Sequence, residues 1–142
     1  MPNIHNFQDV AIGDAIPLLK KEPVSREQLI RYAGASGDFN PIHTDSEAGK
    51  AAGVGGQIAH GMLIMGFVGQ AATNFIPKKY LKKLNVRFAG MTRPGDVISV
   101  MGKVTEKNQI GNETTIKCEL IAVNQKNETV MNGDLEAVIP IS

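Results

Sequence analysis

The chain has 142 residues, one cysteine and a formal net charge of +1, so we expect a single domain over residues 1–142 with a core large enough to fold without disulfides. Its residues are 42% hydrophobic and 20% charged, as in an ordinary globular protein. The near-zero net charge argues against a dedicated nucleic-acid-binding protein. Cys118, the only cysteine, excludes an internal disulfide.

The first residues of the chain and its uncharged middle stretch indicate where in the cell the protein is expected. Residues 1–6 have no basic region followed by an apolar run, so no signal peptide is expected. The lone cysteine fits a reducing compartment such as the cytoplasm. No Asp, Glu, Lys or Arg lies between Ala51 and Pro77, but glycines and glutamines interrupt this stretch. A membrane-spanning helix needs about 20 mostly apolar residues, so we expect a helix buried inside a protein and no membrane partner.

The first third of the chain predicts a strand and a helix. Residues 7–15 look irregular, and Ile16 to Val24 are predicted to form a first strand. Ser25-Arg26-Glu27-Gln28 matches the capping box, in which the first and fourth side chains bond free backbone N–H groups at a helix start. We therefore expect a helix that begins at Ser25 and is ended by Gly34 and Gly37.

A second capping box, Thr44-Asp45-Ser46-Glu47, predicts a short helix through about Ala52. A glycine-rich loop over residues 53–59 follows it. From Gly61 to Ile76 the side chains are apolar almost all round, and Pro77 ends the pattern. A helix with no polar face must be surrounded by protein, so we expect this helix at the centre of the fold.

After Pro77, apolar and polar residues alternate with the period of two that is typical of half-buried strands. The predicted inward-facing sets are Leu84, Val86 and Phe88; Ile98, Val100 and Val104; Thr114, Ile116, Cys118, Leu120 and Ala122; and Met131, Leu135, Ala137 and Ile139. This pattern predicts an antiparallel meander with one solvent-exposed face and one apolar face. The apolar face must be buried, and we expect the apolar helix to pack against it. The predicted fold class is therefore α+β, with the sheet wrapped around one long helix.

The segment Asp38-Phe39-Asn40-Pro41-Ile42-His43 has the residues for acid–base chemistry. Proline disfavours the helical region for Asn40, so the segment is expected to turn back and to point Asp38 and His43 at one spot. At neutral pH a carboxylate is a base, and an imidazole can give or take a proton. Such a pair can hold one water and move its protons, as the addition of water to a double bond requires.

This segment, preceded by Tyr32-Ala33-Gly34-Ala35-Ser36-Gly37 and followed by the step His60-Gly61-Met62, resembles the signature of the MaoC-like (R)-specific enoyl-CoA hydratases, which have the hotdog fold. The resemblance spans nearly the whole chain. It implies reversible syn addition of water to a trans-2-enoyl thioester, giving the (R)-3-hydroxyacyl thioester, with no metal or redox cofactor. By this likeness Asp38 and His43 hold the catalytic water and Asn40 helps to fix their geometry.

The same likeness assigns Gly61, with its neighbours His60 and Met62, to oxyanion and substrate binding. Chemistry supports the assignment, because adding water at C3 pushes negative charge onto the thioester oxygen and that charge needs hydrogen-bond donors already in place. A helix N-terminus offers free N–H groups and a favourable dipole. A glycine there lets the substrate approach closely. His60 is either part of this site or a buried histidine that shapes the turn into the helix.

A basic run lies between Glu47 and Asp96, where no acidic residue occurs. It is either a solvated sheet edge, where lysines block aggregation, or a contact surface for the phosphates of coenzyme A or for an acidic acyl-carrier protein. No aromatic residues interleave with it as stacking platforms, which argues against nucleic acid. Its members are Lys78, Lys79, Lys82, Lys83, Arg87 and Arg93.

Two alternatives concern the candidate site itself. Asp38 and His43 could merely cap a loop, since Asp and Asn are common turn formers. Asp38, His43, Asp45 and His60 could instead bind a metal, since oxygen and imidazole ligands suit several ions. Asp45 is better explained by the second capping box, so we expect no metal.

Three functions are therefore compared. The first is a hydratase or dehydratase of acyl-CoA or acyl-carrier-protein thioesters. The second is an acyl-CoA thioesterase, because one fold supports several chemistries. The third is a non-catalytic acyl-thioester-binding subunit of a heteromeric dehydratase. The resemblance implies a homodimer, and a heterodimer with a related subunit is the alternative. Acyl chain length, the carrier and the physiological direction stay open.

Overall fold

The computed structural model of the protein describes residues 7–141, so the residues behind the signal-peptide prediction lie outside it. Its helices are α1 (Arg26–Ser36), α2 (Ser46–Ala51) and α3 (Gly61–Phe75). Its strands are β1 (Leu19–Lys20), β2 (Leu81–Phe88), β3 (Ser99–Ile110), β4 (Glu113–Val123) and β5 (Thr129–Pro140). Short 3-10 helices lie at Phe7–Asp9, Pro41–His43 and Lys78–Tyr80.

The five strands form one antiparallel sheet in the order β1-β3-β4-β5-β2. The predicted α+β class, a sheet packed on an apolar helix, is confirmed. The predicted meander is right for β3, β4 and β5 but wrong for β2, which pairs with β5 and forms the opposite edge from β1. The long connection after β2 explains this: Thr92 accepts a hydrogen bond from the Ala59 N–H and Gly95 donates one to Val24, so the chain crosses the molecule before β3.

The prediction of a strand over residues 16–24 is wrong for most of its length, because β1 has only two residues, which pair with the start of β3. Pro17 and Pro23 have no N–H to donate to a sheet. The flanking residues still follow β3, since the Ile16 N–H donates to Gly102 and the Lys21 N–H to Ile98.

The caps of α1 follow the sequence. Ser25 Oγ accepts a hydrogen bond from the Gln28 N–H at 3.0 Å, and Gly37 ends the helix with a left-handed φ of 77°. Gly34 was expected to help end the helix but lies inside it. The second cap is Asp45 and not Thr44, since Asp45 Oδ1 accepts from the Glu47 N–H at 3.0 Å.

Helix α3 packs its apolar side against the sheet. Its buried residues are Ile64, Phe67, Val68, Ala71, Ala72 and Phe75. The expectation that protein surrounds it on every side is wrong for the described protomer. Met62, Gly66, Gln70 and Thr73 are exposed, and their spacing of three to four residues places them on one helix face. Among residues 7–141, none of the helices has the length and apolarity needed to cross a bilayer.

Candidate active site

The loop after α1 is shaped by its own side chains. Asp38 Oδ1 accepts a hydrogen bond from the Asn40 N–H, and Asn40 Oδ1 accepts one from the Ile42 N–H, each at 3.2 Å. Asn40 thereby caps the 3-10 helix Pro41–His43. These bonds turn the segment back as its Asn-Pro step predicted, and they leave the second carboxylate oxygen of Asp38 free to face His43.

Asp38 and His43 meet as expected. Asp38 Oδ2 lies 3.7 Å from His43 Nε2, with the imidazole nearly buried and the carboxylate side chain 52% exposed. This separation is longer than a direct hydrogen bond, so a water oxygen can bond both atoms. His43 Nδ1 lies 2.9 Å from the carbonyl oxygen of Ile58. A carbonyl only accepts, so Nδ1 carries the hydrogen and Nε2 of the neutral ring has the free lone pair.

His60 lies directly behind this pair. Its ring stacks on His43 with centroids 3.8 Å apart and contacts the Tyr32 ring edge to face at 4.7 Å. Its Nε2 lies 3.1 Å from the backbone oxygen of Asp38, to which it donates. Its Nδ1 is buried without a partner in the described chain. These contacts support the interpretation that His60 shapes the turn into α3 and positions Asp38.

Gly61 is the first residue of α3, and His60 provides no side-chain cap there. The backbone N–H groups of Gly61 and Met62 donate to no acceptor within residues 7–141. The helix dipole makes this end favourable for a negative charge. A Cβ at position 61 would come within 2.7 Å of the Phe88 ring, so the contact with Phe88 requires glycine.

Three of the four residues considered as metal ligands come together. One ligand atom from each of Asp38, His43 and His60 lies within 4.8 Å of the others. Asp45 does not join them, because its carboxylate caps α2. The His43 Nδ1 and His60 Nε2 atoms already bond carbonyl groups.

The structure does not gather the basic run into one cluster. Lys78 and Lys79 lie in the 3-10 helix Lys78–Tyr80, beyond the far end of α3 from Gly61. Lys82 lies at an irregularity of the β2–β5 pairing. Lys83 and Arg87 alternate with the inward-facing residues of β2, and Lys83 lies 3.9 Å from Glu136 on the outer face.

The outer face of the sheet carries a separate concavity of about 1100 Å³, lined in part by Lys83, Arg87, Lys117 and Asp134. None of the candidate catalytic residues lines it. Two of its lysines lie close to carboxylates, since Lys103 lies 3.4 Å from Glu119 and Lys117 lies 3.6 Å from Glu106. The concavity is therefore a surface of mixed charge that is separate from Asp38 and His43.

Arg93 is the one member of the basic run that lies beside the loop leading into the site. Its guanidinium donates to the carbonyl of Val54 and lies against Gly55 and Gly56.

Gln57 and Phe88 lie beside the predicted site residues but were not themselves predicted. The buried Gln57 Nε2 donates to the backbone oxygen of His43 at 2.7 Å, which ties the glycine-rich loop to the segment that contains Asp38 and His43. Gln57 could have been found in the sequence, because its amide is the one polar side chain in the apolar, glycine-rich stretch over residues 53–59. Phe88 followed the inward pattern of β2 but is 55% exposed beside Gly61.

Comparison with known proteins gives a consistent result. A family model described as the MaoC like domain matches residues 7–126. The (R)-specific enoyl-CoA hydratase of Rhodospirillum rubrum is 29% identical over 134 residues, covering 90% of this chain and 92% of that protein. The mitochondrial 3-hydroxyacyl-[acyl-carrier-protein] dehydratase of Arabidopsis thaliana is 25% identical, covering 96% of this chain and 86% of that protein.

A solved structure supports the same architecture. The crystal structure of the MaoC-like dehydratase from Rhodospirillum rubrum superposes with a TM-score of 0.82 at 22% identity, covering 96% of this chain and 97% of that chain. At this identity the likeness concerns the fold, and it confirms the expected hotdog architecture.

Proposed function

Because this chain belongs to the MaoC-like domain family, we propose that it is a hydro-lyase that interconverts trans-2-enoyl thioesters and (R)-3-hydroxyacyl thioesters. The observation that carries the proposal is the pairing of Asp38 Oδ2 with His43 Nε2 at 3.7 Å, next to the uncapped N-terminus of α3 at Gly61. The names of the two relatives, a hydratase and a dehydratase, support the reaction class.

In the proposed hydration, Asp38 Oδ2 and His43 Nε2 hold one water between them. One of the two takes a proton from the water as the water oxygen bonds C3. The proton is then delivered to C2. The pair ends unchanged, and the hydroxyl and the hydrogen arrive from one side, which agrees with syn addition. Charge that moves onto the thioester oxygen is stabilised by the Gly61 N–H and the helix dipole. Either Asp38 Oδ2 or His43 Nε2 can be the group that takes the first proton.

The finer parts of the proposal rest on the relatives. The (R) product follows the name of the Rhodospirillum rubrum hydratase. Either coenzyme A or an acyl-carrier protein is proposed as the carrier, because the relatives' names include both. We also propose one catalytic domain over the chain, a cytoplasmic location and a homodimer, with a heterodimer with a related subunit as the alternative. Strand β2 forms an edge of the sheet described over residues 7–141, and this edge and the exposed Met62 and Phe88 support a partner at this side.

The test is hydration of crotonyl-CoA by the purified protein, followed as loss of enoyl absorbance, with a thiol reagent in a parallel cuvette. We expect enoyl loss without thiol release, and a loss of about 10²- to 10⁴-fold in Asp38→Asn, the range for general acid–base catalysis. Asp38→Asn should still fold and bind acyl-CoA, because its side chain is half exposed.

Other outcomes point to the other functions. Thiol release would assign a thioesterase, and acyl-CoA binding without turnover would assign a non-catalytic subunit. EDTA is expected to leave the rate unchanged; strong inhibition by chelation would instead support a metal at Asp38, His43 and His60.

A further inference from the structure

The loop between α2 and α3 contains successive backbone N–H donors that have no acceptor within the described part of the chain. The N–H groups of Val54, Ile58 and Ala59 all bond backbone carbonyls. The N–H groups of Gly55, Gly56 and Gln57 between them donate to no acceptor within residues 7–141. Gly56 and Gln57 are nevertheless buried. Buried backbone N–H groups are almost always paired. Two buried unpaired donors next to the exposed Gly55 N–H therefore indicate a site for an acceptor from outside the chain.

Arg93 supplies a positive charge at the same place. A Cβ on Gly55 would lie 3.3 Å from a terminal guanidinium nitrogen of Arg93, and a Cβ on Gly56 would lie 3.8 Å from the other. The guanidinium therefore runs alongside both residues. Only one of its donors is used within the described chain, in the bond to Val54. A planar guanidinium beside consecutive N–H groups matches the oxygens of a phosphate.

No acidic side chain within residues 7–141 neutralises this arginine, because none of the ion pairs includes it. The nearby carboxylates have other partners. Glu47 pairs with Lys50 at 3.0 Å, and Asp96 accepts the backbone N–H of Arg93 and the Gln125 amide. A half-buried guanidinium without a counter-ion favours an anionic ligand.

The loop is held in place by its surroundings. Gly49 of α2 lets the loop approach so closely that a Cβ there would meet the Gly56 oxygen at 1.8 Å. Gln57 bonds the backbone of His43 at 2.7 Å. The donors thus belong to a fixed surface attached to the catalytic segment, and an anion bound there needs no reordering of the loop.

We propose that Arg93 and the backbone N–H groups of Gly55, Gly56 and Gln57 form a phosphate site for the carrier portion of the thioester substrate. Gly56 and Gly61 are five positions apart, so at most about 18 Å separates them. A pantetheine arm can bridge that distance, with the thioester at Gly61 and the first phosphate at Arg93. The identity of the phosphate rests on the proposed function; the anion site itself does not.

The kinetic test compares crotonyl thioesters of CoA, phosphopantetheine and pantetheine, the last of which has no phosphate. Arg93→Met should raise KM about tenfold for the first two, as expected for loss of a charge-assisted hydrogen bond, and should not change KM for crotonyl-pantetheine. Arg93→Lys should partly restore KM. Arg31→Met, which removes an exposed arginine on α1, is the matched control and should change none of the values.

The outcomes distinguish which phosphate of the thioester substrate binds at Arg93. A KM increase for the CoA and phosphopantetheine thioesters assigns the phosphate that CoA and carrier proteins share. An increase for the CoA thioester alone assigns the nucleotide phosphates. Equal losses for all three thioesters would mean that Arg93 only supports the loop, and the inference would be overturned.

A binding measurement on the unmodified protein keeps this inference independent of folding defects and of the proposed reaction. Titration with pyrophosphate, followed by amide NMR, should shift the signals of Gly55, Gly56 and Gln57 in a saturable manner. No shift at these amides would overturn the site even if crotonyl-CoA is hydrated. A shift without any hydration would instead retain the site and contradict the proposed function.

Discussion

The imidazole rings of His43 and His60 are stacked 3.8 Å apart, with 23° between their planes, and each ring bonds the segment that carries the other. His43, in the loop after α1, donates to Ile58, two residues before His60. His60, at the start of α3, donates to the backbone of Asp38, five residues before His43. This reciprocal arrangement fixes the candidate water-binding atoms relative to the N-terminus of α3.

Substitutions at His43 should distinguish the roles of its two ring nitrogens. His43→Asn keeps a donor near the Nδ1 position for Ile58 but has no basic nitrogen, whereas His43→Ala has neither. We expect both variants to lose about 10²- to 10⁴-fold in kcat. His43→Ala should also be less stable by about 1–3 kcal/mol, because the buried Ile58 oxygen loses its donor. Enoyl hydration and urea unfolding measure the two effects, and near-normal turnover in either variant would refute the catalytic role.

Gly61→Ala should lower activity through Phe88. The added methyl would come within 2.7 Å of the ring, so the ring or the start of α3 must shift. The double variant Gly61→Ala/Phe88→Ala removes this clash and should recover stability and turnover relative to the single variant. Failure of the double variant to recover turnover would show that the methyl itself blocks the thioester.

Two glycine-to-alanine substitutions in helices should change the free energy of unfolding in opposite directions. Gly34 lies inside α1 with nothing near its Cβ position, so Gly34→Ala should stabilise by roughly 0.5–1 kcal/mol. A Cβ on Gly49 would overlap the Gly56 oxygen, so Gly49→Ala should destabilise by about 1–3 kcal/mol. Urea midpoints measured side by side test the pair. Equal effects would contradict the close contact between α2 and the loop.

Cys118 should be inert in the native protein. Burial raises the pKa of its thiol from 9.0 to about 12, and only the thiolate is reactive. A thiol reagent at pH 8 should therefore label unfolded but not native protein, and rapid native labelling would contradict the burial. Since the folded pKa is raised, this buried thiol stabilises the fold below about pH 9, and the contribution is lost between about pH 9 and 12.

Local signals in the sequence predicted much of this structure. Ser25 and Gly37 bound α1 because capping depends on neighbouring residues alone. The alternation in β3, β4 and β5 identified their buried faces. Asp38 and His43 could be brought together in advance because Asn40-Pro41 restricts the few residues between them.

The rest depends on contacts distant in sequence. Alternation in β2 does not reveal that its partner is β5, and an apolar helix pattern does not show which face of α3 the sheet covers. The position of Arg93 beside the loop over residues 53–57 follows from how the connection after β2 crosses the molecule. No periodicity in the sequence encodes that path.

The free edge of β2 has a consequence for the choice of subunit. Its unpaired backbone can add another strand, and main-chain hydrogen bonding does not distinguish one chain from another. An identical copy and a diverged paralogue would meet the same edge. Discrimination between them would then depend on flanking side chains such as Leu84 and Val86 on one face and Lys83 and Arg87 on the other. Gene duplicates could therefore switch between self-association and mutual pairing through a few substitutions, without altering Asp38 or His43.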